Sequence, residues 1–253
     1  MRQASLKTNF YSSQQLSALE LQRIPRHLTI IPDGNRRWAK KNHLPAFSGH
    51  RKGGDNLIEI VKAARELGVK TVSIYLFSTE NWSRQPEEVN MLMWLLEDFL
   101  TKQRDTMIDY GIKVCSIGDL SQLPSHARQA VEEAKIATAS CDDINMVMAL
   151  NYGSRNEICR AVCAIIADMD SKKISKDKID ENLISQYLDT TPWGDPDLFI
   201  RTSGEMRLSN YLLWQMSYAE IYVTEVLWPD FNHNCLFNAI LNFQSRDRRL
   251  GGM

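Results

Sequence analysis

No apolar run in the 253-residue chain approaches the ~18 residues of a membrane-crossing helix. The N-terminus has neither the apolar stretch nor the small-residue cleavage site of a signal peptide. An excess of one charge is also missing. The 30 Lys+Arg against 31 Asp+Glu leave a formal net charge of -1, without the basic excess of a nucleic-acid coat. The five cysteines, Cys115, Cys141, Cys159, Cys163 and Cys235, include no C-x-x-C pair, which argues against a zinc or redox framework. Cys159 and Cys163 sit four apart on one expected helix and could share a ligand, but buried inert thiols are the expectation. Walker and G-x-G-x-x-G loops, an aspartate-rich D-D-x-x-D segment and a G-x-S-x-G elbow are absent too. What remains is a cytoplasmic, reduced globular protein with no nucleic-acid partner.

Hydrophobic residues make up 43% and charged residues 24% of the chain, ordinary globular usage with enough apolar material for a sizeable core. Residues 1–26 are polar and read as a loose arm or a short docking helix. From His27 onward, short β-rich runs alternate with helical periods, the signature of a parallel sheet in one α/β domain over 27–253. Strands are expected at His27–Ile31, Lys70–Phe77, Ile112–Ile117, Ile144–Leu150, Asp197–Thr202 and Ile221–Glu225. Helices are expected near 51–67, 86–109, 124–139, 154–169, 177–188 and 236–247. Gly68 and Gly111 stand where helices stop, Pro86 and Pro124 where they start. In such sheets ligands bind at the carboxyl ends of the strands.

Three segments at those ends carry unusual chemistry. In Pro32-Asp33-Gly34-Asn35-Arg36-Arg37-Trp38, a strand runs through a polar turn into a helix. A helix start with free amides and two arginines suits phosphate oxygens, and one carboxylate beside it suits a hard cation such as Mg²⁺. The plainer reading is that Asp33 caps a helix. The second segment, Ser78-Thr79-Glu80-Asn81-Trp82-Ser83-Arg84 before Pro86, holds more polar chemistry than a helix cap needs. In the third, Arg201, Arg207 and Ser209 could clamp a second phosphate group. Glu220 stands in an apolar run and wants a cationic partner. The apolar residues from Val89 to Leu100 cover nearly the whole circumference of one helix, which is therefore buried all round or lines an apolar cavity.

These motifs resemble the bacterial cis-prenyltransferases, the undecaprenyl diphosphate synthase or isoprenyl transferase type. The likeness rests on D-G-N-x-R-W at Asp33–Trp38, G-H-R at Gly49–Arg51 and F-S-x-E-N-W-x-R at Phe77–Arg84. I-R-T-x-G-E-x-R-x-S-N at Ile200–Asn210 and W-P-D-F at Trp228–Phe231 extend it to about 27–252. The resemblance implies a central, mostly parallel six-stranded sheet flanked by helices, an apolar tunnel and a homodimer. It implies extension of an allylic diphosphate by isopentenyl diphosphate with cis double bonds and Mg²⁺, giving a membrane lipid and hence possible peripheral membrane contact.

By the same resemblance, Asp33 acts at the allylic diphosphate and contacts Mg²⁺, with Glu220 as the second metal ligand. Gly34, Asn35, Arg36, Arg37 and His50 hold that diphosphate, and Trp38 lies beside the substrate. Ser78, Thr79, Glu80, Trp82 and Arg84 match the second substrate loop, and Asn81 matches a proton acceptor. Arg201, Arg207, Leu208 and Ser209 match the isopentenyl diphosphate site. Arg249-Leu250-Gly251 matches a tail that completes the partner subunit's site. Two departures stand out: Arg36 where many relatives have Gly, and Ala46 where an Arg is common. A non-catalytic partner subunit and a Mg²⁺-dependent phosphate-ester hydrolase are the alternatives. The tunnel argues against the second and the intact motifs against the first.

Overall fold

The six expected strands all form, and they align in one direction. β1 (His27–Ile31), β2 (Thr71–Ser78), β3 (Ile112–Ile117), β4 (Ile144–Tyr152), β5 (Leu198–Arg201) and β6 (Glu220–Val223) build one sheet ordered β3-β4-β2-β1-β5-β6. Each neighbouring pair is parallel, so the sheet is entirely rather than mostly parallel. The computed structural model describes residues 10–247. β1 is buried along its whole length, as a central parallel strand covered on both faces must be.

The period of two divides these strands between two cores. Leu28, Ile30, Val72, Ile74, Met146 and Met148 face one side, where α3 (Ala46–Glu66), α4 (Pro86–Lys102), α6 (Ser125–Ala137) and α9 (His233–Gln244) pack. Ile31, Val147, Ala149 and Phe199 face the other, closed by Tyr211, Leu212 and Met216. Gly68 and Gly111 take positive φ (91° and 61°) after helices, as their positions suggested. Pro86 opens α4 with Glu87 and Glu88 in its first turn, which complements the helix dipole.

Several expectations needed correction. The helix expected over 86–109 breaks at Gln103, and α5 (Arg104–Asp109) follows. A straight helix of that length would run ~36 Å, whereas the break returns Met107 to full burial. The helix near 177–188 shrinks to α8 (Glu181–Gln186), started by the Asp180 carboxylate on the Leu183 amide. In the arm no correction is needed: of the two readings, the short docking helix is the one that forms, as α1 (Ser13–Ser17). Tyr11 and Leu19 are buried, and the Phe10 and Tyr11 amides donate to the Glu66 carboxylate. Cys159 and Cys163, expected buried, stand exposed on α7 (Ser154–Asp170) beside exposed Val162 and Ile166. The apolar residues between Tyr211 and Phe243 mostly enter the core, while Tyr218 and Ile221 remain exposed. Among the described residues no helix is long and apolar enough to cross a membrane.

Candidate active site

The carboxyl ends of β1, β2 and β5 open on one cleft of about 700 Å³. Its walls include five arginines, Arg36, Arg37, Arg84, Arg201 and Arg207, against two carboxylates, Asp33 and Glu80, so it is built for anions.

Asp33, two residues past the end of β1, lines it. Parallel pairing sets Ile31 opposite Arg201, and this brings the Arg201 Nη2 to 3.0 Å from Asp33 Oδ2. Arg201 is only 3% exposed, and its other terminal nitrogen donates to the Arg207 carbonyl and, at 2.8 Å, to Ser209 Oγ. Arg37 reaches Asp33 Oδ1 at 3.3 Å while bonding the Ser203 carbonyl and hydroxyl at 3.0 and 2.5 Å. Gly34 lies at φ 107°, where a Cβ would stand 2.9 Å from Leu227 Cδ2, and its amide donates to Asp33 Oδ1 at 2.7 Å. It caps α2 (Asn35–Lys41), whose first internal bond runs from the Trp38 amide to the Gly34 carbonyl. The amides of residues 35–37 are thereby left without an intrahelical partner.

The second segment forms a short 3₁₀ turn, Thr79–Ser83, held by a reciprocal Ser78–Asn81 cap. Asn81 Oδ1 accepts the Ser78 amide at 3.0 Å, which leaves the Asn81 amino group as the free end of the side chain. Burial raises the Glu80 carboxyl, but bonds from Asn210, its own amide, Ser78 and Thr79 bring it below the ordinary carboxylate range, so it stays ionised. Arg84 pairs with Glu88 at 3.0 Å, and Arg36 approaches the same carboxylate at 3.7 Å with two-thirds of its side chain exposed.

Three buried cleft atoms, Asn35 Oδ1, His50 Nε2 and Arg201 Nε, have no hydrogen-bond partner among the described residues. Unmet buried groups suit a polar ligand. Pro32, Asn35 and His50 also border a second, apolar cavity of about 110 Å³ between α3 and α4. Leu92, Leu95, Leu96 and Phe99 line it while Val89, Met93 and Leu100 are buried, so α4 fulfils both readings of its apolar circumference.

Five expected site residues do not line the cleft. Trp38 turns its indole to Asp230 at 2.8 Å, and Trp82 bonds Asn151 at 2.7 Å with its ring edge-on to Phe77. Thr79 bonds Glu80, and Leu208 packs into the second core. Glu220 is the furthest displaced. It begins β6 level with Leu28, about 10 Å along the strands from their carboxyl ends, and pairs with Arg246 at 2.6 Å. A single chain therefore does not bring Glu220 to Asp33. The Arg249–Gly251 tail lies outside the described residues.

Four cleft residues were not assigned from the sequence: Ile31 and Pro32, which simply precede Asp33, and Asn210 and Tyr75. Asn210, inside a recognised motif, bridges the Glu80 carboxylate at 2.8 Å and the Arg155 amide at 3.0 Å. Tyr75, stacked on Tyr211 at 4.3 Å, carries no local signal because only strand order places it there.

Burial pushes the His27 and His50 imidazoles down from 6.5 to about 4, with Arg84 adding to the effect at His50. Between those values the unfolded chain binds protons that the folded state refuses. Stability is therefore fully present above pH 6.5 and falls as the pH drops towards 4. The urea midpoint should decline across that window; a flat midpoint between pH 7 and pH 5 would show that both rings charge freely in the fold.

The sequence pattern of the prenyltransferase family described as undecaprenyl diphosphate synthase matches residues 31–251. An isoprenyl transferase of Clostridium perfringens is 45% identical over 241 residues, covering 95% of each chain. One from Chlamydia trachomatis is 48% identical over 232 residues, covering 90% of this chain and 92% of the relative. Among solved structures, lavandulyl diphosphate synthase from Lavandula x intermedia, in complex with dimethylallyl diphosphate, superposes with a TM-score of 0.88 at 34% identity. It covers 91% of this chain and 100% of that one. A likeness this long, shared by pattern, relatives and fold, means that the chain belongs to the undecaprenyl diphosphate synthase family and is a prenyltransferase.

Proposed function

We propose that the protein condenses isopentenyl diphosphate onto an allylic diphosphate, farnesyl diphosphate being the expected primer, with cis double bonds. The product is a long polyprenyl diphosphate, undecaprenyl diphosphate by analogy with the family. The observation that carries this reading is the junction at Pro32, Asn35 and His50, where an arginine-rich cleft meets an apolar cavity. A diphosphate head and a growing hydrocarbon tail need that pair of environments side by side.

The residues divide the work by position. Arg36, Arg37, His50 and the amides at the start of α2 hold the allylic diphosphate. Ser78, Glu80 and Arg84 frame the second loop, and Arg201, Arg207 and Ser209 hold isopentenyl diphosphate. Trp38, Thr79, Trp82 and Leu208 position these groups from behind. Among the described residues no three His, Cys, Asp or Glu side chains converge, which fits an ion that takes its other ligands from substrate phosphates. Asp33 is the carboxylate that would hold Mg²⁺, and the ion supplies charge neutralisation for the departing diphosphate. Glu220 would join it only from a partner copy. Asn81, its oxygen committed to Ser78, orients a diphosphate oxygen through its amino group. The proton shed by the new unit then leaves to that oxygen, a better base than a neutral amide. Residues 27–253 act as the catalytic domain, and the exposed Val162, Ile166, Tyr218 and Ile221 are the apolar candidates for a homodimer face.

Radiolabelled isopentenyl diphosphate with farnesyl diphosphate, with and without Mg²⁺, should give a metal-dependent ladder of organic-soluble products. Free diphosphate without chain growth would sink the reading.

A further inference from the structure

Between Gly34 and Gly54 the chain has six Lys and Arg and no Asp or Glu, in a protein whose formal net charge is -1. The cleft uses Arg36 and Arg37. The other four, Lys40, Lys41, Arg51 and Lys52, are exposed at the corner between α2 and α3, and no ion pair engages them among the described residues. Apolar side chains stand among these cations. Leu44 is 45% exposed and Trp94 44% exposed. Phe47 lies against Trp94 at 5.9 Å, and the Arg51 guanidinium sits 4.8 Å from the Phe47 ring and 5.7 Å from the Trp94 ring. Asp55, the next acidic residue in sequence, lies beyond the basic run.

The position of this corner matters as much as its composition. α3 and α4 wall the apolar cavity with Gly54, Leu57, Leu95 and Phe99. The same two helices put Phe47 and Trp94 together on the outside. Tryptophan beside phenylalanine and leucine, with a basic fringe, suits the boundary between headgroups and acyl chains. Lysine and arginine there are drawn to anionic headgroups.

We propose that the corner from Lys40 to Lys52, together with Trp94, is a docking surface for an anionic lipid bilayer. It sets the α3–α4 seam against the membrane, so that a hydrocarbon chain leaving the apolar cavity enters lipid rather than water. This deepens the polyprenyl reading and rests on it for its purpose, while binding to lipid is measurable without turnover.

The test is sedimentation of the full chain with vesicles of phosphatidylcholine alone and of phosphatidylcholine mixed with phosphatidylglycerol. Binding is expected to the mixed vesicles only and to weaken with salt. Each lysine near an anionic surface contributes about fivefold, so the double variant Lys40→Gln/Lys41→Gln should bind about 30-fold more weakly. Trp94→Ala should lose binding even at low salt. Both variants should keep their circular dichroism and their turnover of soluble primer, since neither touches the cleft. Equal binding to both vesicles, no binding, or variants that bind like the parent chain would each overturn the proposal. So would capture by soluble polyglutamate in preference to vesicles, which would reassign the patch to an acidic protein. Vesicle binding without any chain extension would instead retire the polyprenyl reading and leave the docking surface standing.

Discussion

Asp33→Asn is expected to lower kcat by on the order of 10²–10³-fold while the chain still folds. The carboxylate receives the Gly34 amide and Arg37 on Oδ1 and Arg201 on Oδ2, so it is already aimed and needs no reorganisation. Asparagine keeps one oxygen for Arg201 but loses the charge that would hold the metal. The buried Arg201 retains Ser209 and the Arg207 carbonyl, which limits the stability loss to about 1–3 kcal/mol. Asp33→Ala should cost more, because a buried guanidinium then loses its counter-charge altogether. Steady-state kinetics with labelled isopentenyl diphosphate and a thermal melt separate the two effects. If Asp33→Asn kept kcat within tenfold of the parent, the carboxylate would have no part in the chemistry.

Gly49→Ala should cost at least ~100-fold in kcat/KM for the allylic diphosphate, together with about 1–3 kcal/mol of stability. An alanine Cβ at this position would stand 2.1 Å from the Asn35 carbonyl oxygen and 2.8 Å from its carbon. Both are backbone atoms at the start of α2, so the helix must move. Such a shift carries the amides of residues 35–37 away from the cleft, and a displacement of about 1 Å is enough to give the stated rate loss. Gly54→Ala is the control one turn further on. Its nearest neighbour is Phe99 Cδ2 at 3.9 Å, so it should fold at least as well as the parent. Parent-like activity in Gly49→Ala would show that the placement of α2 does not govern the reaction.

The strands were legible because their signal is local. His27–Ile31 and Ile112–Ile117 form with the expected bounds, since β-rich runs alternate with helical periods and Gly or Pro marks many of the joins. The cleft segments were legible for a similar reason. Asp33 to Arg37 and Ser78 to Arg84 are each contiguous in sequence, so one strand end delivers each set intact. Helix lengths were less so, because the break at Gln103 answers to Met107 finding the core, not to any residue that forbids a helix.

What the sequence determined by itself was therefore the class of fold, the strand ends that carry chemistry, and a cleft for anions beside apolar material. Only the tertiary structure decided how those pieces meet. Strand order sets β1 against β5, and with it Arg201 against Asp33 across 168 residues. It also brings Tyr75 into the cleft, while register leaves Glu220 at the opposite end of the sheet, paired with Arg246. The physical reason is that hydrophobic period and turn chemistry act over a few residues. The order and register of parallel strands depend instead on which faces bury together across the whole chain.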